Sequence, residues 1–105
     1  MRVLTVDYDG RRLGLPDLVA RMDRAGRVVV GVWDVRSPSG EGWHRVIAVD
    51  PPPETAMEQV ALQLVAGSDP YREAYAVRRA RAVDSGHVGR FWRERFAVLY
   101  GKAAV

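Results

Sequence analysis

Cysteine is absent from this 105-residue chain. That absence excludes disulfides, thiolate metal centres, iron–sulfur clusters and cysteine nucleophiles. Histidine is scarce: only His44 and His87 occur, with no H-x-x-x-H spacing that would hold a metal. Lysine is scarcer still, since Lys102 is the single example and the remaining basic residues are arginine. No apolar run approaches the ~20 residues of a bilayer-spanning helix. The opening Met1-Arg2-Val3-Leu4-Thr5-Val6-Asp7 carries an acid too early for a signal peptide and reads as a strand. The expectation is a soluble, cytoplasmic protein with no membrane contact, no metal and no cofactor.

What is present fits one small domain over 1–105. The hydrophobic fraction, 48%, is that of a globular protein rather than a disordered one. Net charge is +3, and its distribution is uneven. From Tyr71 onward there are eight Lys/Arg against three Asp/Glu, a net of +5, whereas residues 1–70 hold eight against ten, a net of −2. A basic third on a slightly acidic body suits an anionic partner such as nucleic acid, a phosphorylated ligand or an acidic protein surface. A solvated helical surface would show the same imbalance.

The pattern along the chain predicts an α+β fold. Residues 2–8 form a first strand, and Asp9-Gly10 is a hairpin signal that makes 11–15 a candidate returning strand. A helix over 16–25 starts at Pro16, places Leu15, Leu18, Val19, Met22 and Ala25 on one face, and stops at Gly26. Residues 28–35 are β-branched and nearly continuous, which predicts a strand buried on both faces. After the loop Ser37-Pro38-Ser39-Gly40-Glu41-Gly42, residues 43–49 return as its antiparallel partner, with Trp43, Arg45, Ile47 and Val49 on one face. Asp50-Pro51-Pro52-Pro53 ends the sheet-rich part, 1–50. The helical part, 54–101, begins at a capping box, Thr55-Ala56-Met57-Glu58. Its first helix carries the stripe Met57, Val60, Ala61, Leu64 and Val65; its second runs over 71–83 behind Asp69-Pro70; its third runs over 87–100. The whole is a small, mainly antiparallel sheet of three to four strands with a three-helix C-terminal third. Its expected core contains Val30, Val32, Ile47, Leu64, Trp92 and Phe96.

One motif invites a catalytic reading. Val3-Leu4-Thr5-Val6-Asp7-Tyr8-Asp9-Gly10 resembles the first motif of haloacid dehalogenase-type phosphotransferases, an apolar strand ending in Asp-x-Asp-Gly. The resemblance implies Asp7 as nucleophile and Asp9 as acid/base, and it covers eight residues. That family also needs a downstream lysine and a later acidic pair on a parallel α/β core. The only lysine here is Lys102, and the chain is too short for such a core. Asp7 and Asp9 therefore read as a strand end and turn. Nothing around the serines forms a nucleophile elbow, and no catalytic residue is assigned.

The helix over 71–83 carries the main functional expectation. Tyr71, Tyr75 and Ala82 fall together at 100° per residue, flanked by Arg78 on one side and by Arg79 and Arg72 on the other. Such a face can hold phosphates through arginine and stack bases on tyrosine. It could equally bind an acidic partner helix, or the tyrosines could cover core while the arginines lie flat over them. In the last helix Val88, Phe91, Trp92, Phe96 and Leu99 make an apolar side, with Arg90 and Arg93 opposite. Arg95 projects between Phe91 and Leu99, so it needs a carboxylate such as Asp7, Asp34 or Asp50, or an interface with a second copy. The two helices around Asp84-Ser85-Gly86 also share the outline of a helix-turn-helix, with His87, Arg90 and Arg93 early in the second. The leading expectation is a non-enzymatic, oligomeric binding or regulatory module. The rival is a cofactor-independent small enzyme or ligand-binding dimer with a pocket lined by Tyr8, Trp33, Trp43, His44 and Arg45.

Overall fold

A computed structural model describes residues 2–86 of the chain. The elements run β1 (Leu4–Asp9), α1 (Leu15–Arg24), β2 (Val28–Arg36), β3 (Gly42–Asp50), α2 (Ala56–Val65) and α3 (Pro70–Asp84). They build an α+β fold around a three-stranded antiparallel sheet of order β1-β3-β2. The third C-terminal helix expected from the sequence, with His87, Arg90, Trp92, Arg93, Arg95 and Phe96, lies outside the described residues. Among the described residues no helix is long and apolar enough to cross a membrane.

Strand alternation sends Leu4, Val6, Tyr8, Ile47 and Val49 to one face of the sheet. Leu18 and Met22 of α1 and Leu62 and Ala66 of α2 close that face into the main core. Each large side chain buried there contributes about 1.5–3 kcal/mol. Leu15 and Val19, expected on the same helical face, stay half-exposed at its border.

Two strand expectations are corrected. Residues 11–15 form no strand, because β1 pairs with β3 instead: Tyr8 lies opposite Trp43, Asp9 opposite Gly42, and Gly10 N–H donates to Glu41 O at 3.0 Å. The central strand offers β1 a six-residue ladder, longer than any that segment 11–15 could supply before α1 begins. Nor is β2 buried on both faces. Val28, Val30, Trp33 and Val35 are each more than half exposed. The register slips between Val29 and Gly31, and α1 and α2 cover only the opposite face. Val30 is thus outside the core, whereas Ile47 is fully buried and Val32 packs against it.

Helix α2 is rotated from its expected stripe. Leu64 is 44% exposed, while Gln59 and Gln63 are fully buried. The cause is the outer edge of β1, which has no strand partner among the described residues and whose backbone groups need satisfying. Thr5 N–H donates to Gln63 Oε1 at 3.0 Å and Asp7 N–H to Ser68 Oγ at 3.2 Å. Thr5 O accepts from Arg72 at 2.6 Å, and Asp7 O accepts from Asp69 N–H at 2.9 Å. The α2–α3 hairpin therefore replaces a fourth strand. Small residues, Ala56, Ala76 and Ala80, let its two helices approach closely around Val60 and Val83.

Helix ends follow the sequence signals. Thr55 Oγ1 accepts from Glu58 N–H at 3.1 Å, although the Glu58 carboxylate turns to Arg27 rather than back to the cap. Asp69 caps α3 through Tyr71 N–H. Asp84, at the far end of α3, accepts from Ala56 and Met57 N–H at 2.9 Å each, so α3 ends beside the start of α2.

Candidate functional site

The densest polar cluster spans β1, β3 and α3. Asp7 and His44 are register partners on β1 and β3. The Asp7 Oδ1 atom contacts His44 Nδ1, and Oδ2 pairs with Arg72 Nε at 3.0 Å. The pair borders an open depression of about 240 Å³, also lined by Tyr8, Asp9, Ser37, Ser39, Glu41, Trp43 and Asp69. The serine hydroxyls face each other at 3.0 Å. With Nδ1 committed to a carboxylate, His44 keeps Nε2 for a ligand or proton. Asp7 and Asp9 stand on an antiparallel strand with Asp7 ion-paired, an arrangement unlike the parallel core that the Asp-x-Asp-Gly resemblance requires.

A second cluster lies on the core side of the sheet. Arg45 is almost fully buried and binds Asp34 through Nε at 2.7 Å and Nη2 at 3.0 Å, with a further bond to Leu13 O at 2.8 Å. Its guanidinium also lies 5.1 Å from the Tyr8 ring centroid. Arg12 adds a contact to Asp34 at 3.0 Å and covers the Trp43 ring at 3.8 Å, with Arg36 also over that ring at 5.0 Å. The hydrogen bonds from Arg45 hold Asp34 below the ordinary aspartate range, and Asp34 in turn raises Arg45. Burial pushes the Tyr8 phenol up against the opposing pull of Arg45. The Tyr8 hydroxyl donates to Ala66 O at 2.6 Å. This cluster is a bracing network whose donors are committed within the chain.

The five residues expected to line one pocket are therefore divided. Tyr8, Trp43 and His44 border the depression. Arg45 borders a separate shallow one with Arg12, Leu13 and Asp34. Trp33 lies on the other face of the sheet from Tyr8 and Arg45, its indole across Gly31, where an added Cβ would meet the ring at 2.6 Å.

Helix α3 places the Tyr/Arg residues unequally. Tyr71 and Tyr75, one turn apart, are 82% and 69% exposed, so they do not cover core. Arg78 and Arg79 are also exposed. Arg72 is half-buried and serves the β1 edge through Thr5 O and Asp7. On the opposite side of α3, Glu73 is fully buried and accepts from Gln63 Nε2 at 2.7 and 3.0 Å, with its pKa raised chiefly by burial. Sequence reasoning missed the Gln59–Gln63–Glu73 chain, because polar residues interrupt the apolar stripe that defines a buried helix face. The Asp7–His44 pairing had a signal, the register of two strands, which needs the strand order to be known.

The fold and these clusters define a small α+β domain, a three-stranded antiparallel sheet with a helical hairpin docked on one edge. No protein-family model, curated protein or solved structure matches the chain.

Proposed function

We propose that this chain is a non-enzymatic binding module that presents the Tyr71/Tyr75 face of α3 to an anionic partner, with single-stranded nucleic acid the best fit. The observation that carries this reading is the exposure of two tyrosines one helical turn apart, with Arg78 and Arg79 following them. Aromatic faces stack on unpaired bases, and guanidinium groups contact phosphates. The net charge of +5 from Tyr71 onward, to which Arg90 and Arg93 contribute, supports the same sign of partner. Binding to a single-stranded oligonucleotide, a duplex and polyglutamate across a salt series tests it. Single strands are expected to bind tightest, with affinity falling steeply as salt rises. Preference for polyglutamate would replace nucleic acid with an acidic protein surface, and no binding to any of the three at ~50 mM salt overturns the reading.

A second reading rests on the Asp7–His44 pair at the edge of its depression. A carboxylate-oriented imidazole is the usual arrangement of a general base, and here it would serve a cofactor-independent enzyme or ligand-binding domain. Turnover of activated esters by the parent chain, abolished in His44→Asn, would favour it over the binding module.

A further inference from the structure

Residues 11–13, between β1 and α1, meet the end of α2 at an open hollow of about 280 Å³. It is lined by Tyr8, Arg11, Arg12, Leu13, Arg21 and Gly67. Three of these side chains are guanidiniums, and among the described residues no carboxylate lines the hollow. Asp34 pairs with Arg12, but it also pairs with Arg45, whose guanidinium bonds to Leu13 O behind the same wall. One negative charge shared by two positive ones leaves a surplus, and Arg11 and Arg21 add to it. Like charges gathered around one hollow repel, and an anion between them removes that repulsion.

The hollow is also shaped in advance. Arg21 is steadied by one bond, from Nη1 to Val65 O at 3.2 Å. Arg12 is fixed by Asp34 at 3.0 Å and lies over the Trp43 ring. Arg11 makes no side-chain hydrogen bond or ion pair among the described residues. Gly67, at φ +87°, leaves the floor bare: an added Cβ would stand 3.4 Å from Tyr8 Cε1, 3.8 Å from Arg21 Nη1 and 4.0 Å from Leu13 Cδ2. Guanidinium forks match the oxygen pairs of a phosphate, and their ordering before binding lowers its entropic cost. A tetrahedral oxyanion offers oxygens in several directions, as arginines from a loop and a helix require. A carboxylate offers two in one plane.

We propose that this hollow binds a phosphate dianion, free or carried as the monoester of a small molecule. Arg11 and Arg21 grasp its oxygens, and Arg12 adds charge from its fixed place. None of the three belongs to α3, so the site is independent of the Tyr71/Tyr75 face and is tested apart from it.

The test follows the Gly67 amide and the Arg21 Nε–H by NMR in the full chain, at constant ionic strength with chloride as the balancing anion. Inorganic phosphate and glycerol phosphate are the probes, at a pH where both are dianions. Saturable shifts of both signals are expected. Tighter binding of glycerol phosphate assigns a monoester, and equal binding assigns free phosphate. Arg11→Gln removes no internal contact and should weaken binding by about tenfold, as for loss of a bond between charged groups. Arg24 is exposed on the same helix as Arg21 and does not line the hollow, so Arg24→Gln should leave affinity unchanged. Equal losses in the two variants, or no saturable shift by ~20 mM of either probe, overturn the proposal. So does displacement of glycerol phosphate by a single-stranded oligonucleotide lacking a terminal phosphate, which would assign the hollow to phosphodiesters.

Discussion

Asp7 and His44 face each other directly across the β1–β3 ladder, and the Asp7 carboxylate holds the imidazole at Nδ1 while Arg72 of α3 holds the same carboxylate at 3.0 Å. One side chain thus joins the central strand, the edge strand and the docked hairpin. Its backbone does the same, since Asp7 N–H and C=O bond to Ser68 and Asp69. The sheet edge and the candidate site are consequently one structure.

Asp7→Asn is expected to remove the ion pair with Arg72, which keeps its bond to Thr5 O, and to remove the charged acceptor from His44. The loss in stability should be about 1 kcal/mol, typical of a partly exposed ion pair with good geometry. The diagnostic readout is nitrogen NMR of the imidazole. In the parent chain the neutral ring carries its proton on Nδ1; in Asp7→Asn the Nε2–H tautomer should gain. An unchanged tautomer ratio would show that Asp7 does not orient the ring.

Gln63 is the hinge of the buried polar chain, accepting from Thr5 N–H and donating to Glu73. Gln63→Leu leaves the Thr5 N–H without its acceptor and strips the buried Glu73 carboxylate of both hydrogen bonds from Gln63, with the Arg72 guanidinium still 3.7 Å away, and each loss costs about 1–3 kcal/mol. Urea denaturation should show a drop of about 3 kcal/mol. Adding Glu73→Leu should recover part of it, because the stranded carboxylate is then gone. A double variant less stable than Gln63→Leu would contradict this account.

These networks also show where the sequence was readable. Helix starts at Pro16, Thr55 and Asp69 follow from local chemistry, and the β2–β3 hairpin follows from composition. The burial of Gln59 and Gln63 does not, because it answers to the unpaired edge of β1, some sixty residues earlier. The exposure of Val30 and Val35 was equally hidden. A β-branched run predicts a strand but not which faces the rest of the fold will cover. The Tyr71/Tyr75 face was visible as a pattern, and the exposure of both rings removes the reading in which they cover core.

Glu73 and Asp34 give opposite pH signatures. Burial raises the Glu73 pKa, so the folded state holds that proton more tightly than the unfolded chain does. The stability from this group is fully present below the ordinary value of 4.5 and is lost as pH rises through the folded value. Asp34 is lowered by Arg45, so its stability is present above 3.8 and is lost as pH falls through the folded value. Glu73→Gln should flatten the decline above 4.5 and leave the acid limb unchanged. Arg45→Ala should flatten the acid limb and cost about 3 kcal/mol near neutrality, because the buried pair loses one partner. Denaturation midpoints measured across pH distinguish the two.

Tyr71 and Tyr75 project from the side of α3 away from α2, and neither makes a side-chain hydrogen bond among the described residues. Removing both rings should therefore leave stability within about 0.5 kcal/mol of the parent, as for substitutions at exposed positions without special contacts. If the rings stack on bases, each contributes about 1–3 kcal/mol to binding, so Tyr71→Ala with Tyr75→Ala should weaken single-strand binding by about 30-fold or more. The salt dependence should persist, because the phosphate contacts through Arg78 and its neighbours are untouched. Arg78→Gln should do the reverse, lowering the salt slope by about one contact while leaving stacking intact. Fluorescence anisotropy with a labelled oligonucleotide, run beside thermal denaturation of the same variants, reads all of these together. A double tyrosine variant that keeps parental affinity and parental stability would remove α3 as the contact surface.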